Sequence, residues 1–152
     1  MNQLMAHVVE TDSRFASLYR PAHVTQPIPF FGPISDAAVV TVGVNPSAGE
    51  FDRDRLWPVE AMRGTDLAKR LTEYFRSKRH HPWFEGWMGG LAKAGVDSTS
   101  GYAHLDLSSR ATFSFGKFTR GASADAQSKK LFLEMVECDL PHFSNFLDLC
   151  DS

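Results

Sequence analysis

The sequence predicts an α/β fold, a three-layer α/β/α sandwich around a small, mostly parallel central sheet. Three observations lead there. Val39-Val40-Thr41-Val42 is a continuous apolar, β-branched run, the pattern of a parallel strand covered on both faces. Tyr102 to Leu107 forms a second strand-like run. Helical patterns precede, separate and follow these two, the alternation from which layered α/β domains are built.

Taken in order, residues 2 to about 20 place Leu4, Val8, Phe15 and Leu18 near one stripe, which predicts a helix stopped by Pro21. Residues 21–37 carry Pro21, Pro27, Pro29 and Pro33, with Phe30 and Phe31 as the side chains expected to anchor this approach to the core. The strand at 38–44 comes next, followed by a long loop over 46–62. Thr65 is the expected N-cap of a helix bearing Leu67, Leu71, Tyr74 and Phe75. Pro82 suits the first position of another helix, with Trp83, Trp87 and Leu91 on one face and Gly95 closing it. After the strand at 102–107, residues 124–138 predict a helix with Leu131, Phe132, Met135 and Val136 inward. Pro141 is expected to interrupt it, leaving Phe143 to Leu149 as a helix or a short strand.

The 152 residues suffice for one domain, expected to span 1–152 and to be incomplete at its carboxyl end. Hydrophobic residues make up 43% and charged residues 22%, as in ordinary globular proteins. A formal net charge of -2 excludes a histone-like nucleic-acid binder, although a local basic groove remains compatible with it. Cys138 and Cys150 are too few for a disulfide scaffold and read as reduced thiols of a cytoplasmic protein. No apolar run approaches the ~20 residues of a membrane helix, and the first residues lack a secretory pattern. No membrane partner is therefore expected.

The segment Gly43-Val44-Asn45-Pro46-Ser47-Ala48-Gly49 is the strongest chemical signal. It ends an apolar strand, and in open α/β sheets ligands bind beyond the carboxyl ends of strands. Gly43 allows close backbone approach, and Pro46 holds Asn45 extended. Such a carboxamide can orient a water and stabilise developing charge. It can equally be an Asn-Pro turn bonded only to its own backbone. Neither a P-loop, nor a dinucleotide-binding glycine pattern, nor a nucleophile elbow matches.

Phe51, Arg53, Arg55 and Trp57 follow; aromatic faces and guanidinium groups suit a flat base and its phosphates, or the aromatics fill the gap between loop and core. On the second strand Tyr102, His104 and Asp106 share a face, so His104 and Asp106 are either an acid–base pair or, for Asp106, a cap of the next turn. Ser108, Ser109, Arg110 and Thr112 follow at the same sheet edge. Arg76, Lys78, Arg79, His80 and His81 gather at a helix end, where cations complement the helix dipole. His80-His81 lacks companions at metal-ligand spacing, so neither a metal nor another cofactor is expected. Lys117, Arg120, Lys129 and Lys130 read as a phosphate-facing surface or as solubility charges.

Gly43-Val44-Asn45-Pro46-Ser47 and Leu105-Asp106-Leu107-Ser108-Ser109-Arg110-Ala111-Thr112 together resemble the uracil-DNA glycosylase superfamily. The likeness is closest to its mismatch-specific and single-strand-selective branches, and it covers about residues 28–140. Those branches read Gly-hydrophobic-Asn-Pro-Gly, then an Asn-Leu-x-x-Arg-x-Thr-like run. The resemblance implies excision of a damaged or deaminated base from DNA, with Asn45 holding the hydrolytic water. It implies that Gly43, Pro46 and Ser47 shape the pocket, that Phe51 or Trp57 stacks on the flipped base, and that Arg110 and Thr112 contact the substrate. Ser47 stands where those branches carry Gly, and their later His-Pro-Ser-like loop has no counterpart before Ser152. That absence motivates the alternative, a non-catalytic nucleobase- or nucleic-acid-binding module. A third option is a hydrolase using Ser47 with His104 and Asp106.

Overall fold

The computed structural model describes Phe15 and residues 28–47, 64–76, 80–96, 101–112 and 125–150. The predicted helix over residues 2–20, apart from Phe15, and nearly all of the 46–62 loop lie outside them. Within them the chain is a mixed α/β protein, with three helices and one small mixed sheet. Strand β1 is Phe30–Phe31, β2 is Val39–Gly43 and β3 is Tyr102–Asp106. Helix α1 is Gly64–Thr72, followed by a 3₁₀ turn at Tyr74–Arg76. Helix α2 is Pro82–Lys93 and α3 is Ala126–Asp148. None of these helices is long and apolar enough to cross a membrane.

The sheet order is β1-β3-β2. β3 pairs parallel with β2, from Val39 opposite Tyr102 to Gly43 opposite Asp106, and antiparallel with β1. The central, fully buried strand is thus β3 and not the β-branched run, and Val42 is 53% exposed. β2 closes one edge of the described sheet, so its continuous apolar character overstates its burial. Phe30 and Phe31 anchor the Pro-rich approach as expected, and do so by forming β1.

The core is aromatic. Phe31 packs on Tyr74 at 4.6 Å between ring centroids, and Phe75 on Tyr102 at 4.7 Å. Helix α1 starts one residue before Thr65, so Thr65 lies inside it, while Leu67 and Leu71 are buried as expected. Pro82 opens α2, His81 Nδ1 accepts from the Trp83 N–H at 3.1 Å, and Gly95 ends the helix at φ +83°. The residue α2 buries is Phe84, whereas Trp83 is 55% exposed. Trp87 and Leu91 of the predicted stripe do pack, partly buried, against the core; the buried face runs through Phe84, Leu91 and Trp87, with Trp83 at its exposed edge.

Helix α3 runs unbroken through Pro141. An interior proline costs about 3 kcal/mol. Phe132, Met135 and Asp139 are buried before it and Phe146 after it, so packing on both sides outweighs that cost. Phe146 meets Phe30 at 5.7 Å. At the amino end, the Ser128 hydroxyl and the Gln127 and Ser128 N–H groups donate to Asp125 and hold its carboxyl below the usual range.

Candidate functional site

The parallel pairing of β2 and β3 brings their carboxyl ends side by side. The chain beyond them stays zipped: Leu107 N–H donates to Gly43 O at 3.1 Å, Ser108 N–H to Val44 O at 2.9 Å and Thr112 N–H to Pro46 O at 3.1 Å. A cavity of about 470 Å³ opens at this edge. Gly43 to Ser47 form one wall and His104 and Asp106 the floor. Phe31, His81, Trp83 and Phe84 close it with largely aromatic surface. That volume falls in the usual range of small-molecule pockets.

Asn45 is half-buried on this wall. Its Nδ2 donates to Pro46 O at 3.1 Å, Arg110 O at 3.1 Å and Thr112 Oγ1 at 2.8 Å. Three acceptors fix which end of the amide is nitrogen, since an oxygen there would face only other oxygens. Oδ1 receives no hydrogen bond from any described residue. The amide therefore does more than close an Asn-Pro turn on itself, for it reaches 65 and 67 residues along the chain.

Arg110 and Thr112, expected at the substrate, stand behind Asn45 and do not line the cavity. The Arg110 guanidinium packs against Asp139 on α3, with Nε at 3.0 and 3.1 Å from the two carboxylate oxygens, and lies 5.4 Å from the Phe15 ring centroid. Ser108 Oγ donates to the same carboxylate at 2.6 Å. This buried cluster ties the loop after β3 to α3 and so holds the carbonyl that receives the Asn45 amide. Gly43, Pro46 and Ser47 line the cavity. Phe51 and Trp57, with Arg53 and Arg55, lie outside the described residues. So do Lys78, Arg79, Lys117 and Arg120, while Lys129 and Lys130 are exposed on α3.

His104 and Asp106 share a face of β3 and meet at 3.4 Å between Nε2 and Oδ1, both buried. Thr41 Oγ1 lies 2.8 Å from His104 Nδ1 and 3.2 Å from Ala103 O. Where the Thr41 hydroxyl proton goes to Ala103 O, Nδ1 carries the proton of the Thr41–His104 bond; where it goes to Nδ1, the ring's proton sits on Nε2. Burial raises the Asp106 carboxyl above the usual carboxylate range, against the opposing pull of His104. Asp106 Oδ2 is buried without a hydrogen-bond partner among the described residues. Gly43 makes this floor possible, because a Cβ there would stand 2.5 Å from Asp106 Oδ1 and 2.8 Å from His104 Nε2.

With Nδ1 on Thr41 and Nε2 on Asp106, neither ring nitrogen is left for the Ser47 hydroxyl. The Ser47–His104 bond that a serine hydrolase needs is absent among the described residues. The aromatic wall was not legible in the sequence, since Phe31 comes from β1 and His81, Trp83 and Phe84 from the start of α2, two segments that only the tertiary fold brings together. Among the described residues no three His, Cys, Asp or Glu side chains converge on a metal position. Comparison of the chain with protein-family models, with curated proteins and with solved structures returned no match.

Proposed function

We propose that this chain hydrolyses the N-glycosidic bond of a damaged or deaminated base in DNA, as a uracil-DNA-glycosylase-like protein with a three-layer α/β/α fold. Asn45 is the observation that carries the reading. Its amide nitrogen is committed to three acceptors at the carboxyl edge of the sheet, its oxygen has no partner among the described residues, and the residue lines a cavity of about 470 Å³. An oxygen so held accepts a hydrogen bond from a water and aims the water's lone pair at the sugar carbon. Positioning of this kind matters most when the glycosidic bond breaks through an oxocarbenium-like state, which needs little nucleophilic push.

The aromatic closure suits the other half of the task. A base can be cut only once it leaves the stack, at a cost of a few kcal/mol, and a snug apolar pocket recovers part of that. Phe31, Phe84 and Trp83 offer such surface. A gel assay for abasic sites on uracil-containing single- and double-stranded DNA tests the reading. Release of base by the wild type and its loss in Asn45→Ala support it. Binding of base or DNA without release would make the chain a binding module, and neither binding nor release would end the proposal.

A further inference from the structure

A carboxamide can steer water but cannot take a proton from it. Hydrolysis of a glycosidic bond moves one proton off the water and delivers one to the departing heterocycle, so the cavity needs a group that exchanges protons. The floor holds one. His104 Nδ1 lies 2.8 Å from Thr41 Oγ1, and with the hydroxyl proton directed to Ala103 O at 3.2 Å it is Nδ1 that donates. His104 Nε2 faces Asp106 Oδ1 at 3.4 Å. With Nδ1–H fixed, this contact is attractive in only two arrangements. Either Asp106 is protonated and points its proton at a neutral ring, or Asp106 is ionised beside an imidazolium. Each contains one proton between Nε2 and the carboxyl. Removing it leaves a bare nitrogen against a carboxylate, and adding another leaves a buried cation without a counter-ion.

Other features of the floor agree. Both side chains are nearly excluded from solvent, His104 at 3% and Asp106 at 4%. The second carboxyl oxygen has no partner among the described residues. The Gly43 backbone is pressed so closely on the pair that no side chain can intervene. Among the described residues the other titratable group that lines the cavity is His81, at the amino end of α2; β1 contributes Phe31 and β2 contributes Gly43, while the hydroxyl of Thr41 meets His104 from β2.

We propose that His104 and Asp106 hold a single shared proton and are the acid–base couple of this cavity, giving that proton to the departing heterocycle and regaining one from the attacking water. The proposal rests on the base-excision reading above. The C1′–N bond breaks with its electron pair going to the base, and the couple's proton goes to that base. The water oxygen forms the new C1′–O bond, and the proton it sheds restores the couple. No other reactant is consumed. Asn45 places the water and the couple moves the proton, which divides between two sites a task that one ionised carboxylate would otherwise perform. Asp106 touches the leaving group and is a catalytic residue, while Thr41, acting through His104, is a positioning residue.

Two measurements on the whole chain test this. Long-range nitrogen-15 NMR of His104 reports its tautomer without any substrate. A proton resident on Nδ1 between pH 5 and 8, with the Nε2 shift moving together with the Asp106 carboxyl carbon, is expected. A neutral ring protonated on Nε2 and bare on Nδ1 would overturn the shared proton. The second measurement is single-turnover release of uracil from a single-stranded oligonucleotide across pH, for wild type, Asp106→Asn and Thr41→Val, each first confirmed folded by its melting transition. General acid–base transfer contributes about 10²- to 10⁴-fold, so Asp106→Asn is expected to fall by that much and to lose the pH dependence of the wild type. Thr41→Val, which leaves Asp106 intact, is expected to shift the pH profile. Asp106→Asn within threefold of wild type, with an unchanged profile, overturns the proposal and leaves the base-excision reading standing. No release by wild type at any pH removes that reading, and the couple's catalytic role with it.

Discussion

Replacing Gly43 by Ala tests the packing of the site through the sign of a stability change. In a strand, Gly→Ala ordinarily stabilises by about 0.5–1 kcal/mol, because Ala has less backbone freedom to lose. Here the new methyl group would meet Asp106 Oδ1 at 2.5 Å and His104 Nε2 at 2.8 Å, where ordinary contact begins near 3.4 Å. The two side chains would have to retreat by about 0.9 and 0.6 Å. Neither can do so freely: both are buried on the central strand, and Thr41 tethers His104. Overpacking of a tight site costs about 1–3 kcal/mol. Set against the backbone gain, the net loss is about 1–2 kcal/mol. For a chain of this size that lowers the melting temperature by about 2–8 °C. Thermal unfolding followed by circular dichroism reads this directly. A melting temperature at or above that of wild type would refute the claim that Gly43 is held to glycine by His104 and Asp106.

Four further outcomes follow from named contacts. Asp139→Ala strips Arg110 and Ser108 of a shared carboxylate and is expected to cost about 3 kcal/mol or more; an unchanged urea midpoint would contradict it. Asn45→Asp sets a carboxylate against two carbonyl oxygens and a hydroxyl, so a loss of about 1–3 kcal/mol in stability is expected by the same titration, and a neutral effect would mean the amide is not gripped as described. Thr41→Val keeps the branched shape of the strand residue but releases the His104 ring, and base release should fall about 10- to 100-fold; a wild-type rate would show that ring orientation does not matter. Asp106, with its folded pKa raised by burial, favours folding below the ordinary carboxylate range and loses that advantage as pH rises through the raised value. Asp106→Asn should therefore gain stability relative to wild type from acid toward neutral pH, and a difference that shrinks over that range would reverse the sign assigned to this group.

The strands were legible because β-branched and alternating runs persist over several residues, and Val39–Gly43 and Tyr102–Asp106 fall within the ranges read from the sequence. Their rank was not. β3 is central although it alternates polar and apolar residues, because its polar face is covered by aromatic rings brought from β1 and α2. A period-2 pattern cannot distinguish polar-to-solvent from polar-to-cavity. Pro141 misled for a related reason: local propensity stops a helix there, while Phe146 and Phe132 pull both halves of α3 onto the core. At the site, Asn45 was legible as a strand-end amide on a rigid turn. Arg110 packs its guanidinium against Asp139, an acid 29 residues later that no local pattern in the sequence connects to it. His104 and Asp106 were visible as a pair on one face, whereas the Thr41 contact that orients the ring comes from the neighbouring strand and was not.

The central claim is that the Asn45 amide places the water that cuts the base free. Base-release rates measured with wild type and Asn45→Ala at saturating uracil-containing DNA test it most directly, since saturation separates kcat from binding. The account predicts release by wild type and a fall in kcat of about 100-fold or more in Asn45→Ala, with affinity for the DNA retained. Equal kcat in the two proteins, or no release by wild type, would contradict it.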